Sequence, residues 1–184
     1  MTAHEQTPSA PRRLLLILGQ EGAGKSTIIR ALLPRTSLGA RIDAEDLGQV
    51  NPCAYDDAFW HLLRANVAVL ARNYWAAGYR NVIAGSFFGS RDDYLRFRDL
   101  VPEADEVYVV QLLVRPEERR RRRLTRAKRT TQEWRDRVDR VDVVDTTLAA
   151  DQDGYRYLAV DGTGRTPEET VDTIVRALPG FFGA

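Results

Sequence analysis

The sequence predicts an α/β fold built on a mostly parallel sheet, and three observations predict it. From Arg12 to the C-terminus, short apolar runs alternate with segments of helical period, the pattern of successive βα units. A glycine-rich loop stands between the first apolar run and the first helical segment. The chain has 184 residues, 43% hydrophobic and 29% charged, enough for one full core but not two. Residues 12–184 are therefore read as a single domain.

Residues 14–18 form a buried strand, followed by the glycine loop and a helix over 25–33 that Pro34 stops. A short strand over 40–42 ends at Asp43. Beyond Asn51 and Pro52 a long helix runs from about 56 to 77, with Phe59, Leu62, Leu63, Val67, Leu70 and Tyr74 at helical spacing and Gly78 as its stop. Residues 79–84 are a third strand, 91–100 a helix capped by Ser90, and 107–114 a fourth strand. Pro116 suits the first turn of a helix that passes through an arginine run to about Arg126. Trp134, Val138, Val141 and Leu148 suggest one further amphipathic helix, which would place Asp142 and Asp145 on its surface. Residues 155–160 are the last strand. Thr166-Pro167-Glu168-Glu169 is a capping box that opens a final helix with Val171, Ile174, Val175 and Leu178 facing inward.

Charge excludes several functions. Lys and Arg total 27 against 26 Asp and Glu, a net charge of +1, so no global field draws in a nucleic-acid backbone or an anionic membrane. The arginine run has no interleaved aromatic platform, so nucleic acid is not expected as a partner. Lys25 and Lys128 are the only lysines, leaving 25 arginines. The single cysteine, Cys53, excludes an internal disulfide and suits a reducing cytoplasm. Apolar runs such as 14–18 are five residues long, far below the roughly 20 that cross a bilayer. Residues 1–11 are polar, with no basic or apolar export signal, and read as a disordered leader on a cytoplasmic protein.

Chemistry concentrates at Gly19-Gln20-Glu21-Gly22-Ala23-Gly24-Lys25-Ser26-Thr27, which satisfies G-x-x-x-x-G-K-[ST] after a strand and before a helix. Glycines let the backbone turn its N–H groups toward one point, where the β- and γ-oxygens of a nucleotide triphosphate can sit. Lys25 would neutralise their charge, Ser26 would offer a hydroxyl to Mg²⁺, and the following helix would add its dipole. Gly22, Ala23, Gly24, Lys25, Ser26 and Thr27 are thus candidate ATP-binding residues.

This loop, the strand ending at Asp43, the arginine-rich helix and the late Asp161-Gly162-Thr163-Gly164-Arg165-Thr166-Pro167 loop together resemble the P-loop kinases of the nucleoside and nucleotide kinase superfamily. The resemblance is to small-molecule kinases of the gluconate kinase, chloramphenicol phosphotransferase and tunicamycin-resistance protein type, and covers about residues 14–178. It implies a P-loop NTPase three-layer α/β/α sandwich, a five-stranded parallel sheet of order 2-3-1-4-5, and a helical lid over about 124–137. It further implies that Asp43 receives the acceptor hydroxyl's proton or helps hold Mg²⁺, with Glu45 and Asp46 just beyond. From the lid helix, Arg123 would cover ATP and Arg126 would act in catalysis, with Lys128, Arg135 and Arg137 of lower rank. Gly162 and Thr163 would border the nucleotide.

The acceptor would lie between the second-strand loop and the long helix, where Asp43, Asp46, Trp60, Arg64 and Phe88 are candidate contacts and His61 is read as structural. Neither the third strand, ending Ile83-Ala84-Gly85-Ser86, nor the fourth, ending Leu113-Val114-Arg115, supplies the carboxylate expected near Mg²⁺. An N-K-x-D sequence is also absent, which argues against a regulatory GTPase. The resulting expectation is an ATP- and Mg²⁺-dependent kinase, monomeric or homodimeric, acting on a hydroxyl of a small molecule such as a nucleoside-like or antibiotic natural product. A nucleoside monophosphate kinase is an alternative, with Arg64, Arg72, Arg91 and Arg96 available to grip a phosphate. A nucleotide-binding resistance or regulatory module without transfer is the other.

Overall fold

A computed structural model describes residues 10–125, 131–140, 143–150 and 152–183. Its centre is β1 (Arg13–Leu18), whose residues 14 to 18 are buried on both faces, as a central parallel strand requires. Around it lie β2 (Gly39–Asp43), β3 (Asn81–Gly85), β4 (Glu106–Leu113) and β5 (Arg156–Asp161). All pairings are parallel and the order is β2-β3-β1-β4-β5, as expected.

The pleat of β1 sorts the core into two layers. Leu15 and Ile17 face α1 (Lys25–Leu32) and α8 (Pro167–Ala177), together with Phe181 and Phe182 of a short α9 (Pro179–Phe182). Leu14, Leu16 and Leu18 face α3 (Asp57–Ala76), α4 (Arg91–Arg98) and Leu148 of α7 (Thr147–Ala150). Local signals set the helix starts. Asp56 Oδ1 accepts from Phe59 N at 2.9 Å, Ser90 Oγ from Asp93 N at 3.1 Å, and Thr166 and Glu169 complete the capping box.

Several boundaries differ from the sequence reading. Helix α1 ends at Leu32 and passes into a 3-10 turn, Leu33–Arg35, that accommodates Pro34. The third strand begins at Asn81, because Tyr79 still belongs to the turn closing α3, where its N–H donates to Tyr74 O, and Arg80 is where the chain first meets Leu38 and Arg13. A one-turn helix, α2 (Ala44–Leu47), follows β2. The single amphipathic helix expected through Trp134 and Leu148 is divided into α6 (Gln132–Arg140) and α7, so Val138 and Leu148 do not share one stripe. Asp145 is accordingly no helical surface residue: its Oδ1 accepts from Thr147 N at 2.7 Å and starts α7. Arg126 and Lys128 lie outside the described residues, as do residues 1–9 of the expected leader. Among the described residues no helix is long and apolar enough to cross a membrane.

Candidate active site

The carboxyl edge of the sheet opens into a cavity of about 960 Å³. Its floor is the loop joining β1 to α1. Gly19, Gly22 and Gly24 have φ of 145°, 87° and 98°, the conformations the sequence reading required of them. A Cβ on Gly22 would stand 2.8 Å from the Arg119 carbonyl oxygen, so the loop packs directly on α5 (Pro116–Thr125). Gly22, Ala23, Gly24, Lys25, Ser26 and Thr27 all line the cavity. Lys25 Nζ donates to the carbonyls of Gly19 at 2.8 Å and Gln20 at 3.3 Å, which holds its ammonium against the cradle.

The same cavity is lined on its other side by Arg41, Asp43, Glu45 and Asp46. Asp43 is the last residue of β2 and also caps α2, its Oδ1 accepting from Glu45 N at 3.4 Å. Asp43 pairs in register with Gly85 of β3, which pairs with Ile17 of β1, so its carboxyl stands two strands from the phosphate loop. Ser26 and the carboxylates of Asp43 and Asp46 are hard oxygen donors on one cavity, a donor set that fits Mg²⁺. Among the described residues no group of three or more His, Cys, Asp or Glu stands ready as a metal cage.

The arginine-rich helix divides its residues differently from the sequence reading. Arg123 does not cover the cavity. It is 3% exposed, donates from Nη1 to Glu21 O at 3.0 Å and pairs through Nη2 with Asp139, bracing the loop from behind. Arg121 and Arg122 line the cavity instead, and Arg122 is the one tied to its walls. Its Nε pairs with Glu118 at 2.9 Å, Nη1 donates to Ala23 O at 3.3 Å, and Nη2 donates to Gly162 O at 2.9 Å. One guanidinium thus joins the phosphate loop to the loop after β5. Glu118 also lines the cavity, and hydrogen bonds from Arg121 and Arg122 hold its carboxyl down at about 2. Gly162 lines the cavity as expected, with Gly164 and Arg165. Thr163 does not: its Oγ1 accepts from Arg115 N at 3.0 Å and ties β4's end to the loop.

The expected acceptor wall is the largest correction. Arg64 is 4% exposed and its Nη1 pairs with Asp93 at 2.8 Å, so it joins α3 to the start of α4 instead of presenting a free cation. Trp60 is half-buried and packs on the core beside Tyr55 and Phe59, with ring centroids 6.2 and 5.2 Å away. Phe88 is likewise half-buried, 5.0 Å from Phe87. None of the three lines the cavity; Asp43 and Asp46 do. Where a strand-end carboxylate was sought, β4 carries buried Gln111, whose Oε1 accepts from the Tyr157 hydroxyl.

Floor, helix and sheet order together define a chain with the fold of the P-loop kinase superfamily. Solved structures agree. A sugar kinase from Janibacter sp. HTCC2649 superposes with a TM-score of 0.68 at 15% identity, covering 92% of this chain and 95% of that one. A gluconokinase from Sinorhizobium meliloti 1021 has a TM-score of 0.68 at 16% identity, over 92% and 93% of the chains. The APS kinase of Mycobacterium tuberculosis, solved with AMPPNP and APS, has a TM-score of 0.60 at 15% identity, over 92% and 99%. No family model matches the sequence, and no curated protein matches it.

Proposed function

We propose that the protein is an ATP-dependent phosphotransferase that moves the γ-phosphoryl group to a hydroxyl of a small molecule, of the nucleoside-like or antibiotic natural product class. The observation that carries this reading is the single cavity joining Lys25 and Ser26 of the phosphate loop to Asp43 at the end of β2. The solved APS kinase, which binds AMPPNP on the same fold, supports ATP as the donor. Phosphoryl transfer asks chiefly for positioning and for cations around the transferred group. Gly22, Ala23, Gly24 and Thr27 would cradle the β- and γ-phosphates, Lys25 would leave its loop carbonyls to neutralise them, and Arg122 would bound the nucleotide between Ala23 and Gly162. Asp43 would orient the acceptor hydroxyl and receive its proton. Mg²⁺, held by Ser26 and the phosphates, would supply charge neutralisation at the transferring group.

The engagement of Arg64 with Asp93, and of Arg72 Nη1 with Leu100 O at 2.7 Å, favours an alcohol acceptor over a nucleoside monophosphate. None of Arg64, Arg72, Arg91 and Arg96 lines the cavity. The test is incubation with ATP, Mg²⁺ and a panel of nucleosides, nucleoside monophosphates, sugars and antibiotics, following ADP release and product mass. A mono-phosphorylated product is expected; a diphosphate would indicate the monophosphate kinase, and ATP binding without product a module that sequesters. Lys25→Ala should reduce turnover by at least about 10²-fold with little change in Tm, because the lysine's own contacts are to loop carbonyls. Unchanged transfer in that variant refutes the assignment.

A further inference from the structure

A second cavity, of about 330 Å³, opens at the opposite edge of the sheet, where the strands begin. Arg12 stands just before β1, Arg80 just before β3 and Glu103 on the loop leading to β4, while Arg72 and Trp75 come from the last turns of α3. Backbone hydrogen bonds fix this edge: Arg13 N donates to Arg80 O at 2.8 Å, Arg80 N to Leu38 O at 2.8 Å, and Asp105 N to Arg12 O at 2.9 Å. Arg72 Nη1 donates to Leu100 O at 2.7 Å, and Arg98 donates to the carbonyls of Val101 and Ala104, so the loop that carries Glu103 is held from two helices. Strand β1, six residues or about 20 Å long, separates the cavity from the phosphate loop.

The residues around it carry polar groups that the fold leaves unanswered. Arg12 pairs with Asp105 at 3.4 Å, and Arg72 is bonded to the Leu100 carbonyl. The Arg80 side chain has neither a hydrogen bond nor an ion pair with another described residue, and Asp105 feels its charge only at longer range. Trp75 is 5% exposed and its indole N–H has no hydrogen-bond partner among the described residues; Glu103 Oε2 is buried and has none either. Buried polar atoms ordinarily find a partner. Holding the sheet edge does not account for these groups, because residue 80 makes its edge bonds through its backbone, whatever its side chain.

We infer that this cavity is a second binding site, for a small molecule that carries an oxyanion beside a hydroxyl, as in a hydroxy acid or a phosphorylated polyol. The Arg80 guanidinium offers a planar fork that matches a carboxylate or a phosphate, and the charges of Arg12 and Arg72 reinforce it. An ionised Glu103 only accepts. It disfavours a bare anion and takes the proton of a ligand hydroxyl, so the cavity selects the two groups together. Its volume lies at the lower end of the range for ligand pockets, about 300–1,000 Å³, which suits a ligand of a few carbons and not a nucleotide. The site stands independently of the phosphotransferase reading above.

The test follows the indole N–H signals of Trp60, Trp75 and Trp134, the three tryptophans of the chain, in proton–nitrogen correlation spectra of isotope-labelled protein. The signal lost in Trp75→Phe identifies the reporter. Glycerate and glycerol phosphate are the probes, their hydroxyl-free counterparts propionate and methyl phosphate the controls, with sodium chloride at matched ionic strength. One or both probes should shift the Trp75 signal saturably, with half-saturation at about 1 mM or below, and leave Trp60 and Trp134 unmoved. The stronger probe identifies the oxyanion as carboxylate or phosphate. Arg80→Gln should weaken binding about tenfold or more, with Tm within about 2 °C of wild type because that side chain has no hydrogen bond or ion pair to lose. Glu103→Leu should remove the preference for the probe over its hydroxyl-free counterpart, and Lys25→Ala, beyond the other end of β1, should bind as wild type does. A Trp75 signal unmoved by both probes up to about 10 mM overturns the inference, as does a shift that sodium chloride reproduces or that Arg80→Gln leaves at wild-type affinity. A preference kept in Glu103→Leu overturns the selection of a hydroxyl. A shift lost in Lys25→Ala overturns the second site, because the anion then acts from the phosphate loop. None of these outcomes touches the phosphotransferase reading, which product formation decides.

Discussion

The guanidinium of Arg123 is buried between the Glu21 carbonyl and Asp139, whereas that of Arg122, one residue earlier, spans the Ala23 and Gly162 carbonyls at the cavity. Their substitutions should therefore separate stability from activity. Arg123→Ala removes one partner of a largely buried pair and is expected to cost about 2–3 kcal/mol, lowering Tm by about 5–10 °C. Arg122→Ala gives up a partly exposed pair with Glu118 and should shift Tm by no more than about 2 °C. Its effect belongs to function, a fall of about 10–100-fold in kcat/KM for ATP. Thermal melts and steady-state kinetics on the two variants check the pair. The sequence leaves open which arginines of this run face the cavity, because consecutive helical residues differ by about 100° and the phase of α5 is set by packing against Gly22. Arg64 was illegible for a related reason. Its partner Asp93 is 29 residues away, and only the tertiary contact of α3 with α4 reveals that its charge is already neutralised. Lys25 and Ser26, by contrast, belong to a loop whose geometry is local and could be read directly.

At the scale of elements, the site depends on how closely α5 approaches the loop after β1. Gly22 permits this approach twice over, by its φ of 87° and by the missing Cβ that would meet the Arg119 carbonyl at 2.8 Å. Gly22→Ala must strain the loop or push α5 away, so a loss of about 1–3 kcal/mol is expected together with at least a tenfold weaker affinity for ATP. Calorimetric titration with ATP and a thermal melt test both parts; wild-type affinity would show that the loop and α5 move independently. Strands and the major helices were legible because apolar period and cap residues agree, as at Ser90 and Thr166. The region after α5 was not. Val138 and Leu148 continue a helical period, but Asp145 takes Thr147 N and starts a new helix, a local hydrogen bond that periodicity does not register. Asp43 shows both behaviours in one residue: its place at the end of β2 was readable, whereas α2, the helix it caps, was too short to leave a period.

For the whole molecule, the same hydrogen bonds that fix the loops set its response to pH. Glu118 is held at about 2 by Arg121 and Arg122, Asp161 below its ordinary value by Thr163 N–H, Glu169 by Thr166 N–H, and Asp105 by the backbone and side chain of Arg12. Each group binds a proton less readily folded than unfolded, so the unfolded chain takes up protons first as acid is added. The stability they supply is therefore complete above their unfolded values and is lost as pH falls through the lowered folded ones, for Glu118 at about 2. Tyr94 works in the opposite direction. Burial raises its hydroxyl to about 12, so the folded state favours the neutral phenol, and its contribution is complete below pH 10 and lost as pH climbs toward 12. Tyr108 and Tyr157, also raised by burial, extend the same limb. A plot of Tm against pH should accordingly be flat between about 5 and 9 and fall on both sides. Glu118→Gln should flatten the acid limb without moving the basic one, since Tyr94 packs between Phe88 and Tyr155 on the other face of the sheet. Because Glu118 also orients Arg122 across the cavity, the acid decline in ATP affinity should follow the decline in Tm in the wild type and separate from it in this variant. An acid limb unchanged by the substitution would assign the decline to the carboxylates of Asp161, Glu169 and Asp105 instead.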